Sequence, residues 1–198
     1  MSVCQSEKPG LDLEQWGADM SRLVRLFQDG FQAVHGFGPA EHVVHTATAQ
    51  EAAEASVLLA EAGAHGTLLA YYARMSAVEL PDLDNGIWIE DVPTLLYGRD
   101  HPTLLKGAIE DTVTGFATDG GGGHYTVSAT TGSVYHMTAG ALSTDATYPD
   151  GLYDVQEAGF SVAAPDLWSF LGQLRTELGE AVDIQASWAA RHPRSGSE

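Results

Sequence analysis

The sequence predicts an α+β fold in which helices pack on an antiparallel sheet. Three observations predict it. An amphipathic helix opens the chain, short alternating strands separated by glycine turns fill its second half, and a leucine-striped helix closes it.

The opening helix is expected over about Leu11 to Val34. Leu13, Trp16, Met20, Leu23, Phe27 and Phe31 recur at steps of three and four and share one face. Glu14, Asp19, Arg22, Arg25 and Asp29 fall on the other face. His35-Gly-Phe-Gly-Pro39 then breaks the pattern. His42-Val-Val-His45 reads as a loop before Thr48-Ala-Gln-Glu51. That quartet is a capping box, in which the Thr hydroxyl and the Glu carboxylate each take up a free N–H at a helix start. The second helix should run to about Ala62. A third is expected from about Thr67 to Ala77, with Leu68, Leu69, Tyr72 and Met75 on its buried side.

Pro81 opens a different texture. Pro81-Asp-Leu-Asp-Asn-Gly86 is turn chemistry, and Ile87-Trp-Ile89 is a short strand. Val92 to Asp111 is ambiguous between a helical turn and a loop. Val113–Thr118, His124–Ser128 and Ser133–Met137 then read as a meander of three strands. In the second strand Tyr125 and Val127 share one face, and His124, Thr126 and Ser128 the other. Leu142 to Glu157 reads as an exposed loop, and Phe160–Ala163 as a last strand. Pro165 is expected to open the final helix, with Leu167, Leu171, Leu174 and Leu178 as its buried stripe. The tail from about Ala189 to Glu198 is small and polar and is expected to be loose.

Composition narrows the function. The 198 residues are 44% hydrophobic, enough for an ordinary core. The single cysteine, Cys4, allows no internal disulfide and fits a reducing compartment. No apolar stretch follows a basic start and no run of about 18 apolar residues occurs, so no secretion signal and no membrane span are expected. Nine Lys and Arg face 27 Asp and Glu, a formal charge of −18. Between Ser76 and Asp166 only Arg99 and Lys106 are basic. A nucleic-acid binder needs cations to displace phosphate counterions, so nucleic acid and anionic membrane surfaces are disfavoured as partners. A basic protein partner is permitted. Acidity also serves solubility alone, and composition does not separate the two.

The run Phe116-Ala-Thr-Asp-Gly-Gly-Gly-Gly-His-Tyr125 invites a phosphate-loop reading, since glycine N–H groups cradle anions. But no Lys and Ser/Thr close the run, a strand and not a helix follows, and Asp119 would repel phosphate. A tight turn between strands remains, with more glycines than a two-residue hairpin needs. The extra ones permit close approach of other backbone. His124, His136 and Asp119 are the metal-site candidates, because adjacent strands can bring two imidazoles and a carboxylate together. Surface histidines of a sheet are the plainer reading, and no metal or cofactor is expected. No nucleophile elbow occurs.

Taken in order, several stretches resemble the SUKH (Smi/Knr-like) superfamily. Thr48-Ala-Gln-Glu-Ala-Ala-Glu54 is similar to its opening helix, and Leu68-Leu-Ala-Tyr-Tyr-Ala-Arg74 to the end of its second. Leu80-Pro-Asp-Leu-Asp-Asn-Gly-Ile-Trp-Ile89 is similar to its step into the sheet. Phe116–Gly123 with Val134-Tyr135 resembles its central hairpin, and Val162–Leu171 its closing helix. Together these cover roughly Thr46 to Leu178, about two-thirds of the chain. The Ala-rich 51–66 region lacks the Leu-Pro that the family often shows.

The resemblance implies helices packed on a strongly bent antiparallel sheet and a SUKH-like domain over 46–180. An N-terminal helical extension over 1–45 and a C-terminal helix end and tail over 181–198 would flank it. It also implies a non-enzymatic cytoplasmic role. Bacterial members are regarded as immunity proteins that neutralise toxins, often nucleases, and others are regulatory or scaffolding binding modules. No catalytic residues come with the family. An acidic inhibitor would meet a basic nuclease cleft by steered association. The acidic loops therefore supply the expected contact residues Asp84, Asp91, Asp119, Tyr148, Asp150 and Tyr153. The expected assembly is a monomer or homodimer.

Overall fold

The structure, a computed structural model, describes residues 11–96, 103–143 and 152–192. Helix α1 (Leu13–His35) begins where the Asp12 carboxylate accepts the N–H groups of Glu14 and Gln15 at 3.0 and 3.1 Å. It buries the face that its spacing predicts, from Leu13 to Phe31. The long closing helix, α5 (Leu167–Arg191), is capped by Asp166, whose carboxylate accepts the Ser169 N–H at 2.7 Å. Pro165, expected as its first residue, lies one place ahead of that cap. The helix also continues past Ala189, where a loose tail was expected.

Helices α1 and α5 pack on each other. The Trp16 indole, fully buried, donates to the Leu171 carbonyl at 2.9 Å, and Asp19 pairs with Arg175 at 3.2 Å. Gly30 lets Gln185 approach so closely that a Cβ there would lie 2.5 Å from the amide oxygen. The opening helix therefore belongs to the main core, a continuous cluster running from Leu13 and Trp16 to Leu174 and Leu178. The capping box of α2 (Ala49–Glu61) forms as expected, with Thr48 and Glu51 exchanging bonds of 2.7 and 3.2 Å.

Two expectations fail in the next stretch. Helix α3 (Gly66–Tyr72) is shorter than its apolar spacing implied, and β2 (Met75–Leu80) replaces its last turn. The supposed loop at His42–His45 contains β1 (Val43–Thr46), which pairs with β2. Met75, Val78 and Leu80 are buried in extended backbone, so pairing on both edges of β2 overrides helical spacing.

Strand β3 (Ile87–Ile89) lies where predicted. The ambiguous region resolves into α4 (Val92–Leu96) and β4 (Thr103–Gly107). The long strand β5 (Asp111–Asp119) organises the sheet. Along one edge its end pairs with β3 and its start with β4. Along the other it pairs with β6 (His124–Ser128), which pairs with β7 (Val134–Met137), the meander read from the sequence. β10 (Phe160–Ala164) pairs with β7. Within the supposed loop from Leu142 to Glu157 lie β8 (Leu142–Ser143) and β9 (Leu152–Val155); β9 runs parallel to β4. The fold is α+β, and every described strand pair except β4–β9 is antiparallel.

Both faces of this sheet are buried. Val127 and Val134 turn toward the helices, whereas Val113, Tyr135 and Met137 join a second cluster with Leu105, Ala141 and Val155. A bulge at Gly115–Ala117 adds Phe116 to β5. Phe116 and Ala117, consecutive in sequence, thus both join the helix-side core, where Phe116 meets Phe170 edge-on at 5.3 Å.

Candidate functional site

Two turns meet at one end of the sheet. The first joins β2 to β3, with Asp84 at φ 49° and Gly86 at φ 80°. Left-handed backbone is tolerated by aspartate and costs glycine nothing. Gly86 also lies beneath the Trp88 ring, which leaves no room for a Cβ. The second turn is the glycine run between β5 and β6. The β3–β5 pairing sets Ile87 opposite Asp119, so the turns lie side by side. The Gly120 N–H donates to the Asn85 carbonyl at 3.0 Å, and a Cβ on Gly120 would collide with that oxygen. The close backbone approach read from the glycines is therefore made by this chain's own first turn.

Asp119 occupies the nest that the glycines form. One carboxylate oxygen accepts the N–H groups of Gly121 and Gly123, each at 2.8 Å. The other lies 2.8 Å from the His136 ring nitrogen. The donors a phosphate would need are thus already satisfied from within. Burial pushes the Asp119 carboxyl up, but the Gly123 N–H, the His136 ring and the Gly121 N–H outweigh it and hold it below the usual carboxylate range.

Beside these turns and α5 run two adjoining depressions of about 210 and 160 Å³. They share Ile87, Tyr125, Leu174 and Glu177. The floor is apolar and aromatic. Tyr125 packs on Phe170 at 5.2 Å and on the His136 ring at 4.5 Å. Asp84, Asp119 and Glu177 supply three carboxylates to the larger depression, and no Lys or Arg is among the described residues that line either. Burial raises the Glu177 carboxyl, and the nearby charges of Asp84 and Glu180 raise it further. Burial likewise raises the Tyr125 phenol, with Asp119 and Glu177 adding to it. This groove is acidic, with an aromatic floor.

The expected contact residues divide between surfaces. Asp84 and Asp119 come together in the groove. Asp91 caps α4 through the Thr94 N–H at 2.8 Å and lines a separate depression with Glu51 and Glu54. Tyr153 lies over the opposite face of the sheet, beside His124. Tyr148 and Asp150 lie outside the described residues. The metal candidates also divide. Register sets His136 opposite Tyr125 and His124 opposite Met137, so Asp119 and His136 pair on one face while His124 turns to the other. No group of three potential ligands occurs among the described residues.

Glu177 and Tyr125 are the groove residues that the sequence reading missed. Glu177 follows Leu174 by three positions on α5, so it borders the buried stripe, but the helix alone does not say that Asp84 lies across from it. No described helix is long and apolar enough to cross a membrane. Comparison with family models, with curated proteins and with solved structures finds no match for this chain.

Proposed function

We propose that this chain is a non-catalytic protein-binding module that takes a basic partner at the Asp84–Asp119–Glu177 groove. In the setting implied by its SUKH resemblance, it is a cytoplasmic immunity protein that neutralises a nuclease-type toxin by stoichiometric binding. One observation carries the binding site: three carboxylates converge over an aromatic floor with no cation among the lining residues described. Burial raises the Glu177 carboxyl, and the charges of Asp84 and Glu180 raise it further. A lysine or arginine from a partner would relieve that repulsion, and its apolar stem would lie on Tyr125. The charge of −18 would draw a basic domain in by long-range steering.

The test is affinity capture from the native host with wild-type bait and with the double reversal Asp84→Lys/Glu177→Lys, both first shown folded by circular dichroism. Association kinetics with the captured protein then follow across a salt series. The wild type is expected to retain a basic protein that the reversal binds at least about tenfold more slowly, with a flatter salt dependence. An unchanged rate and salt slope would exclude the groove. A captured nuclease whose activity is blocked at one-to-one stoichiometry supports immunity; a partner without toxic activity favours the regulatory reading.

A further inference from the structure

Asn85 is the chain's only asparagine, and glycine follows it. It sits in the β2–β3 turn between Asp84 and Gly86, both in left-handed backbone. It is exposed, and it lines the larger acidic depression with Asp84, Asp119 and Glu177. A side-chain amide that precedes glycine is open to attack by the glycine nitrogen, because no Cβ on that residue shields the approach.

The closed turn restrains this chemistry. The Gly86 N–H donates to the Leu83 carbonyl at 2.7 Å, and Gly86 is buried beneath the Trp88 ring. The Asn85 carbonyl in turn accepts the Gly120 N–H at 3.0 Å. Attack requires the Gly86 nitrogen to leave Leu83 and the Asn85–Gly86 peptide to rotate toward the side chain, so both hydrogen bonds must open. Asp84 and Asn85 are exposed, and such a turn opens at a lower free energy than the whole fold.

We propose that Asn85 is a site of spontaneous deamidation in the folded chain, gated by opening of the β2–β3 turn. The Gly86 nitrogen gives up its proton and attacks Asn85 Cγ. The new N–C bond closes a cyclic imide as the Cγ–Nδ2 bond breaks, and Nδ2 leaves as ammonia, which carries the equivalent of the Gly86 proton. Water then opens the imide at either carbonyl and gives aspartate or isoaspartate; nothing is oxidised or reduced. Either product sets a further carboxylate beside Asp84, Asp119 and Glu177. Isoaspartate also adds a main-chain carbon at the residue whose carbonyl holds Gly120. The charge of the groove therefore changes as the protein ages. This inference rests on the geometry of the turn and does not depend on the partner proposed for the groove.

The test incubates the folded wild type, and the same chain unfolded in urea, in mildly alkaline buffer. Peptide mapping by mass spectrometry follows conversion of Asn85, and amide exchange followed by NMR reports on the Gly86 N–H. The folded chain is expected to convert at a measurable rate, at least about tenfold more slowly than the unfolded one. Gly120→Ala, shown folded by circular dichroism, displaces the Asn85 carbonyl and should speed conversion several-fold. In the wild type, urea below the unfolding transition should raise conversion and Gly86 exchange in step. The proposal is overturned if Asn85 stays intact in the folded wild type, or if folded and unfolded chains convert equally fast. It is equally overturned if folded Gly120→Ala converts as the wild type does, or if conversion fails to follow Gly86 exchange. Should Gly120→Ala fail to fold, the urea series decides.

Discussion

Asp119 and His136 form a 2.8 Å pair across the sheet, on the face that carries Tyr125. The Asp119 side chain is 15% exposed, and its other oxygen closes the glycine turn. One carboxylate thus ties β5, the turn and β7 together. Because the folded Asp119 carboxyl lies below its unfolded value near 3.9, its contribution is present above that value and lost as pH falls through the folded one. Asp119→Asn should cost about 1–2 kcal/mol at pH 7, where charge-assisted bonds become neutral ones. The difference should shrink as pH falls from the unfolded value through the lower folded one, as the wild-type carboxyl protonates. Urea midpoints of both proteins across pH measure it, and a constant gap would mean that charge is not what matters.

The glycines divide into those the fold needs and those it merely tolerates. A methyl on Gly120 would strike the Asn85 carbonyl, and one on Gly123 would come within 2.5 Å of Asp119 and 2.6 Å of His136. Gly120→Ala and Gly123→Ala should each destabilise by about 2 kcal/mol or more. Gly172 and Gly179 sit inside α5 with nothing within 4 Å of an added Cβ. Alanine there should stabilise by about 0.5–1 kcal/mol each through helix propensity and lost unfolded-state freedom. Thermal midpoints of the four variants separate the classes, and a stabilised Gly120→Ala would contradict the turn geometry.

The same contrast shows what was legible in the sequence. Helices α1 and α5 declared themselves through six and four apolar residues at helical spacing, and β5–β7 through alternation between glycine turns. Strands β1, β8 and β9 did not, because they are held by a neighbour rather than by a pattern of their own. Half of the groove was legible: Asp84 and Asp119 stand in turns that the sequence marks. Glu177 joins them only because α5 crosses that end of the sheet, a tertiary fact with no local signature. Asp119 was read as a repeller of phosphate; it fills the anion nest itself.

The crowding of Asp84 against Glu177 has its own signature. Burial first, then Asp84 and Glu180, raise the Glu177 carboxyl. A raised acid binds its proton more tightly when folded, so stability falls as pH rises from the unfolded value through the folded one. Asp84→Asn should lower the Glu177 titration midpoint, followed by its carboxyl carbon shift. It should also raise the denaturation midpoint at pH 7 while leaving it unchanged near pH 3. A Glu177 midpoint that ignores Asp84→Asn would separate the two carboxylates.

Tyr71 and Tyr72 test hydrogen-bond accounting in the main core. They are adjacent at the end of α3, with rings edge-on at 5.0 Å, and both are buried. The Tyr72 hydroxyl donates to the Glu90 carbonyl at 2.7 Å, whereas the Tyr71 hydroxyl has no partner among the described residues. Burial pushes the Tyr71 phenol far above its usual range. Removing a satisfied hydroxyl orphans its acceptor, but removing an unsatisfied one relieves a desolvation cost. Tyr72→Phe should therefore destabilise by about 1 kcal/mol, and Tyr71→Phe should be neutral or stabilise by up to about 1 kcal/mol. Urea unfolding with unchanged m-values compares them directly. A loss in Tyr71→Phe equal to that in Tyr72→Phe would show that Tyr71 has a partner, and with it a different packing of α3 against Trp16, whose ring it meets at 6.2 Å.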